Sequence, residues 1–175
     1  VKDGDAIVPA AEYTIAYSDN TNVGTGTVTL TDNEGGNYVV NGTAHFAITN
    51  ADANVTPPTA KTGLIYNTQP QQLVNLGTVV GGTMEYSLDG KTFSTDAPMG
   101  TDAQQYTVYY RVKGDENHGD SDPSSLIVTI SPKTVSNPVI TLSTTAYVYD
   151  GKEHKPDVTV KDGEVEVPAS EYTVD

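Results

Sequence analysis

The sequence predicts an all-β protein built of small sandwiches, and three observations carry that expectation: alternating residues, closely spaced turn clusters and a repeated segment. In Gly26-Thr27-Val28-Thr29-Leu30-Thr31 every second residue is apolar, which puts Val28 and Leu30 on one face of a strand and the threonines on the other. Ala44-His45-Phe46-Ala47-Ile48-Thr49 repeats the pattern with Phe46 and Ile48, and Ser125-Leu126-Ile127-Val128-Thr129-Ile130 does so again. Between such runs stand turn residues: Asp32-Asn33-Glu34-Gly35-Gly36, Asp89-Gly90, Lys113-Gly114-Asp115 and Asp150-Gly151. The 25 threonines and 11 tyrosines, against 2 phenylalanines and no tryptophan, suit a pleated surface. No window of eleven or more residues shows apolar positions at helical spacing.

The repeat organises the chain. Val1-Lys2-Asp3-Gly4, Val8-Pro9-Ala10 and Glu12-Tyr13-Thr14 recur without a gap as Val160-Lys161-Asp162-Gly163, Val167-Pro168-Ala169 and Glu171-Tyr172-Thr173, ten identities in fifteen positions. A weaker repeat links the ends to the middle. Thr27-Val28 and Asn37-Tyr38 match Thr107-Val108 and Asn117-His118 at an offset of 80, Phe46-Ala47-Ile48-Thr49 matches Val128-Thr129-Ile130-Ser131 at 82, and Tyr149-Asp150 matches Tyr66-Asn67 at 83. A module is therefore roughly 80 residues, the size of a small Ig-like sandwich. The expected division is a C-terminal part at 1–49, a complete module at 50–132 and an N-terminal part at 133–175; joining 133–159 to 1–49 gives 76 residues, one module again. Thr49-Asn50-Ala51-Asp52 and Ser131-Pro132-Lys133 read as connectors, and Pro57-Pro58 stiffens the start of the middle module. Connectors this short suit an extended array.

Composition narrows the function classes. A net charge of −14 repels phosphate backbones and anionic membranes, so neither nucleic-acid nor lipid-surface binding is expected. No apolar run approaches the roughly 18 residues of a membrane span, so no membrane insertion is expected. The chain has no cysteine, which removes disulfides, thiolate catalysis and cysteine-ligated metals. Val1 already stands in a strand-like pattern with no signal-type segment before it, so the chain reads as an internal piece of something longer.

The segments Tyr149-Asp150-Gly151, Tyr13-Thr14-Ile15-Ala16-Tyr17, Val23-Gly24-Thr25-Gly26-Thr27-Val28-Thr29-Leu30, Gly36-Asn37-Tyr38 and Gly42-Thr43 resemble bacterial surface-protein repeats, the Ig-like and MBG/YDG-type repeats of very long extracellular, adhesin-like proteins. The middle module, with Gly81-Gly82-Thr83-Met84-Glu85-Tyr86-Ser87-Leu88-Asp89-Gly90 and Tyr106-Thr107-Val108-Tyr109-Tyr110, resembles a companion repeat of the same architectures. The resemblance spans nearly the whole chain and implies tandem Ig-like β-sandwich modules without activity. MBG-type repeats have also been related to β-grasp domains, so a β-grasp-like repeat is the alternative; it needs a helix on its sheet. Asp102-Ala103-Gln104-Gln105-Tyr106, followed by alternation, resembles the tyrosine corner of Ig-like sandwiches, which makes Asp102 and Tyr106 structural candidates. Val79, Met84, Tyr86, Leu88, Tyr106, Val108 and Ile130 are the expected core of the middle module.

Catalytic constellations are hard to find. His45, His118 and His154 lie far apart in sequence with no metal-ligand spacing, no serine sits in a G-x-S-x-G frame, and no glycine-rich loop opens a helix. A glycosidase carboxylate pair would need an apolar cleft with aromatic platforms, which a small repeat without tryptophan does not offer. No enzyme activity and no cofactor are expected. The densest acidic stretch, Asp115-Glu116-Asn117-His118-Gly119-Asp120-Ser121-Asp122, makes Asp115, Glu116, Asp120 and Asp122 a weak calcium candidate, because Ca²⁺ takes six to eight oxygen ligands; a solvated turn is the default reading. Lys2, Lys113 and Lys161 stand beside turn glycines, where lysines are exposed rather than cross-linked to Asn. Tyr109 and Tyr110 must point to opposite faces, one to the core and one to the surface.

The expected role is a structural spacer or stalk segment of a bacterial extracellular repeat protein, a cell-surface adhesin or surface filament, cell-surface or secreted. Its partners would be neighbouring repeats, and strong negative charge keeps such an array soluble. The alternatives are a module that binds host glycan or protein, and an accessory module of a secreted glycanase. The incomplete ends read as a window cut from a longer repeat protein, with head-to-tail completion between separate chains as the second reading.

Overall fold

Short runs of threonine, valine and tyrosine separated by Gly, Asn and Asp leave the backbone no helical option, and each run becomes a strand in the computed structural model, which describes all 175 residues. Residues 1–49 form β1 (Lys2–Asp3), β2 (Ala6–Ile7), a 3₁₀ turn at Ala10–Glu12, then β3 (Tyr13–Ser18), β4 (Gly24–Asp32) and β5 (Gly42–Ile48). The middle segment carries β6 (Asn54–Thr56), β7 (Thr59–Ala60), β8 (Gln71–Gln72), β9 (Val74–Asn75), β10 (Thr78–Val80), β11 (Gly82–Ser87), β12 (Met99–Gly100), β13 (Gln105–Gly114) and β14 (Ser124–Thr129). The last segment holds β15 (Val139–Leu142), β16 (Val158–Asp162), β17 (Val165–Val167) and a second 3₁₀ turn at Ala169–Glu171. All strand ladders are antiparallel, and the two 3₁₀ turns are the only helical residues. The fold is all-β. The helix that a β-grasp-like repeat requires is not in it.

Val1–Ser131 form one compact unit and Pro132–Asp175 a second. Within the first unit the middle segment is a two-layer sandwich. One layer is β11–β13–β14, extended by a bridge between Tyr86 and Ser94 and by a parallel bridge between Ile65 and Ser131. In the other, the stretch β8–β9–β10 is lined on one edge by β6 and β7 and on the other by β12. Register sets Met84 opposite Val112, Tyr86 opposite Tyr110, Tyr106 opposite Val128 and Val108 opposite Leu126, so these side chains share the inner face. They meet Leu73 and Val74 of the second layer, and Leu73, Val74, Val108, Val112, Val128, Ile130, Met84 and Tyr86 form the buried core.

Of the expected core, Met84, Tyr86, Val108 and Ile130 are buried, while Val79 and Tyr106 pack against the cluster as partly buried side chains. Leu88 is a correction: it is 45% exposed. The strand ends at Ser87, whose hydroxyl accepts from the amides of Asp89 (3.2 Å) and Gly90 (3.0 Å), so Leu88 rides on a turn and leaves the alternation. Tyr110 packs against the core, whereas Tyr109 lies on the other face, where its ring covers Gly90.

The outer segments are single sheets. In β3–β4–β5, Ile15 pairs with Leu30, Tyr17 with Val28 and Phe46 with Gly26, giving one apolar face; Thr14, Thr27, Thr29, Thr31, Thr43 and His45 occupy the other. The Phe46 ring lies over Gly26, where a Cβ would oblige the ring to move. In β15–β16–β17, Ile140 pairs with Val160 and Val160 with Val167, while Leu142 pairs with Val158. Ile15, Tyr17, Phe46, Ile140 and Leu142 are all exposed.

Candidate functional site

The acidic stretch from Asp115 to Asp122 turns out to be the place where the first segment meets the sandwich. It follows β13 and turns back on itself through its own polar groups. The Asp115 carboxylate accepts from the amide of Asn117 at 2.9 Å and stands 2.6 Å from His118 Nδ1. Asp120 accepts from Lys113 Nζ at 2.6 Å and from the Gly114 amide at 2.9 Å, and the Ser121 hydroxyl accepts from the Val112 amide at 2.8 Å. These donors stabilise the ionised carboxylates: His118 first, then the Asn117 amide, holds Asp115 below the usual range, and Lys113 first, then the Gly114 amide, does so for Asp120. The His118 ring lies against Gly81, whose φ of 94° and lack of a Cβ let the ring approach.

With the loop set this way, Asn117 becomes a clamp. Its side-chain carbonyl accepts from the Val23 amide at 2.8 Å, its side-chain amide donates to Asn22 Oδ1 at 3.3 Å, and its backbone carbonyl accepts from the Ala51 amide at 3.0 Å. The Ala51 carbonyl in turn accepts from the Gly119 amide at 2.9 Å, so Ala51 and His118 form a parallel bridge. One residue thus ties the β3–β4 turn, the connector and the loop after β13. Composition pointed to this stretch as acidic; the residue that does the joining is its single asparagine, and only its alignment with Asn37 in the weak repeat marked it beforehand.

The four calcium candidates do not converge. Asp115 and Asp120 are engaged as described, and nowhere in the chain do three His, Asp or Glu side chains stand close enough to hold one metal ion. Lys113 pairs with Asp120, Lys2 is exposed and Lys161 is half-buried. His45 lies on the threonine face with its ring 3.1 Å from the Thr27 hydroxyl, and His154 stacks on Tyr147 at 4.2 Å beside Asp150. The Tyr106 hydroxyl accepts from the Asp102 amide and donates to the Asp102 carbonyl, both at 3.0 Å, closing the loop before β13. On the outer face of β13, Arg111 pairs with Glu85 at 2.8 Å and covers the Phe93 ring at 4.2 Å. Depressions at Asp19–Thr25 and between Tyr86 and Pro98 are both open to solvent. No helix is long and apolar enough to cross a membrane.

No protein-family model matches this sequence, and no curated protein and no solved structure matches it significantly.

Proposed function

We propose that this chain is a spacer or stalk segment of a bacterial extracellular repeat protein, an adhesin-like protein or surface filament, in which Ig-like modules follow one another at short, hydrogen-bonded joints. The observation that carries this reading is the Asn117 clamp. A stalk has to transmit position and force along its length, and a flexible connector would let each module swing freely. Here the connector is held to the loop after β13 by two backbone bonds, Ala51 to Asn117 and Gly119 to Ala51, and the preceding module is held by Val23 to Asn117. The polar groups that ordinary surface loops leave to water are spent on the joint. The internal repeat supports the same reading, because a segment that recurs with ten identities in fifteen positions is a building unit used more than once. Neighbouring repeats are then the natural partners, and the charge of −14 keeps an exposed array from sticking to itself without specificity.

Small-angle scattering of the whole chain tests the reading. Asn117→Ala should enlarge the radius of gyration and broaden the distance distribution while circular dichroism stays that of β-structure. Unchanged scattering would show that the Asn117 side chain does not hold the joint. A glycan and matrix-protein binding panel supplies the second arm: saturable micromolar binding by the isolated chain would replace the spacer by a recognition module.

A further inference from the structure

We propose that the free edge of β14 is a self-pairing surface, on which residues 125–129 of one copy add antiparallel to residues 125–129 of a second copy about a two-fold axis at Ile127. The inference goes beyond the spacer reading and does not rest on it. It concerns how two such chains meet side by side, and it uses only strands inside the middle module.

Hydrogen bonding fixes which backbone groups of β14 face outward. The Ile130 amide donates to the Gln104 carbonyl at 3.0 Å, toward β13. The next residue turns the other way: the Ser131 amide donates to the Leu64 carbonyl and the Ser131 carbonyl accepts from the Tyr66 amide, each at 2.9 Å. Along a strand this direction alternates residue by residue. Val128, Leu126 and Ser124, opposite Tyr106, Val108 and Tyr110, therefore bond to β13, while Thr129, Ile127 and Ser125 direct their amides and carbonyls away from the sheet. Those three residues have no hydrogen-bond partner. β7 passes near β14 in the other layer, but its ladder is made with β9.

The two edges of this sheet are treated differently. At β11 the edge is closed: the Tyr86 amide donates to the Ser94 carbonyl at 2.7 Å and the Ser94 amide donates to the Tyr86 carbonyl at 3.0 Å. β11 also carries Glu85, a charge that discourages further pairing. β14 has neither protection. Ser124–Thr129 contains no charge and no proline, and its register with β13 has no bulge. Ser125, Ile127 and Thr129 are exposed, Ile127 at 57%. An uncharged, regular edge of this kind is a template for one more strand.

The occupant follows from the pattern of the edge. Strands exchange bonds only where outward residues oppose outward residues. An axis at Ile127 sets Ile127 opposite Ile127 and Ser125 opposite Thr129 in both directions, so every free group of the edge is used. Moving the axis along the strand brings in Pro123, which has no amide, or Ser131, which is already bonded to Leu64 and Tyr66. The two Ile127 side chains then meet on the face that carries Thr107 and Tyr109. Charge selects the same place. Two copies of a chain of charge −14 repel, and their contact has to fall where no carboxylate opposes another; the paired residues are uncharged in both copies.

The test uses the whole chain at about 0.15 M salt, where long-range repulsion is screened. Sedimentation velocity should show the mass rising with concentration to twice 18.5 kDa and no further, because a two-fold contact closes on itself. Ile127→Lys should weaken association about tenfold or more, since it sets two like charges at the axis, while circular dichroism stays that of β-structure. Ile15→Lys, on the exposed apolar face of β3–β4–β5, should leave association unchanged. The chain has no cysteine, so single cysteines read the register. Under mild oxidation with diamide, Ile127→Cys should link to itself, and Ser125→Cys should link to Thr129→Cys. Ser125→Cys alone should stay unlinked, because its two copies lie four residues apart along the pair, about 13 Å. A monomer at every concentration overturns the proposal, whatever other protein the edge captures. So does a dimer that survives Ile127→Lys, or one in which the Ser125, Ile127 and Thr129 amides exchange as fast as in the monomer.

Discussion

Replacing Tyr106 by Phe removes one oxygen atom and leaves a ring of the same shape. The ring sits tightly over Gly100, where a Cβ would come within 2.8 Å of it, so Phe keeps the packing and the substitution isolates the hydroxyl. That hydroxyl makes two bonds of 3.0 Å to the backbone of Asp102. Each such bond is worth about 1 kcal/mol net, and Asp102 is exposed, so water replaces part of what is lost; the expected cost is about 1–2 kcal/mol. With a urea slope of about 1–3 kcal/mol per molar, the midpoint should fall by roughly 0.3 to 2 M. Far-UV circular dichroism follows the unfolding, and amide exchange of Asp102 reports the bond itself: protected in the parent, fast in the variant. An unchanged midpoint together with unchanged Asp102 exchange would refute the corner. Tyr86→Phe is the natural comparison, because it strands the half-buried Gly77 amide that donates to Tyr86 Oη at 2.9 Å, and it should cost about 1–3 kcal/mol.

Leu73→Ala, at a fully buried position between the two layers, should destabilise the sandwich by about 2–5 kcal/mol in the same urea assay; a loss under about 1 kcal/mol would mean that the layers do not meet there. Asn117→Ala should cost about 1–3 kcal/mol at the joint and release the Val23 amide to exchange, while the Ala51 amide, bonded to a backbone carbonyl that alanine keeps, and β11–β13–β14 are unaffected. Asp89 accepts from the amides of Thr92 and Lys91 and from the Ser87 hydroxyl, which hold its carboxyl far below the ordinary 3.8. A depressed folded-state value stabilises the fold fully above the unfolded value and loses that contribution as pH falls below 3.8 toward the folded one. Carbon-13 titration should accordingly find Asp89 still ionised at about pH 3, and a normal titration would show that the Asp89–Thr92 turn is not closed in solution.

What local patterns can report, they reported well. Alternation in Gly26–Thr31, Ala44–Thr49 and Ser125–Ile130 translates into β4, β5 and β14 because residues on one face of a strand are set by a period of two, whatever the strand pairs with. Tyr106 was legible as a candidate because a hydroxyl four residues from Asp102 reaches only local backbone. Leu73 and Val74 were not. They are adjacent and both fully buried, which a regular strand with one face in solvent does not allow; the chain exchanges its β12 neighbour for β7 at that point, with the Leu73 amide bonded to Pro98 and its carbonyl to Lys61. Leu88 failed the other way, since its turn ends the period one residue early.

The acidic stretch shows the same division at the candidate site. Composition identifies it and reads it as solvated or cation-binding, yet Asp115 and Asp120 serve to shape a loop so that Asn117 can reach Val23, 94 residues away in sequence. By itself the sequence determined the strand class, the turn positions and the repeat that makes residues 1–15 and 160–174 twins, because each depends on neighbours along the chain or on identity between segments. Tertiary structure alone decided which polar groups of the loops are engaged, which consecutive residues are both buried, and that Glu12 is enclosed by the turn at Asn37 and Tyr38. A hydrogen bond across 25 residues depends on where two loops arrive in space, and that is set by every strand between them.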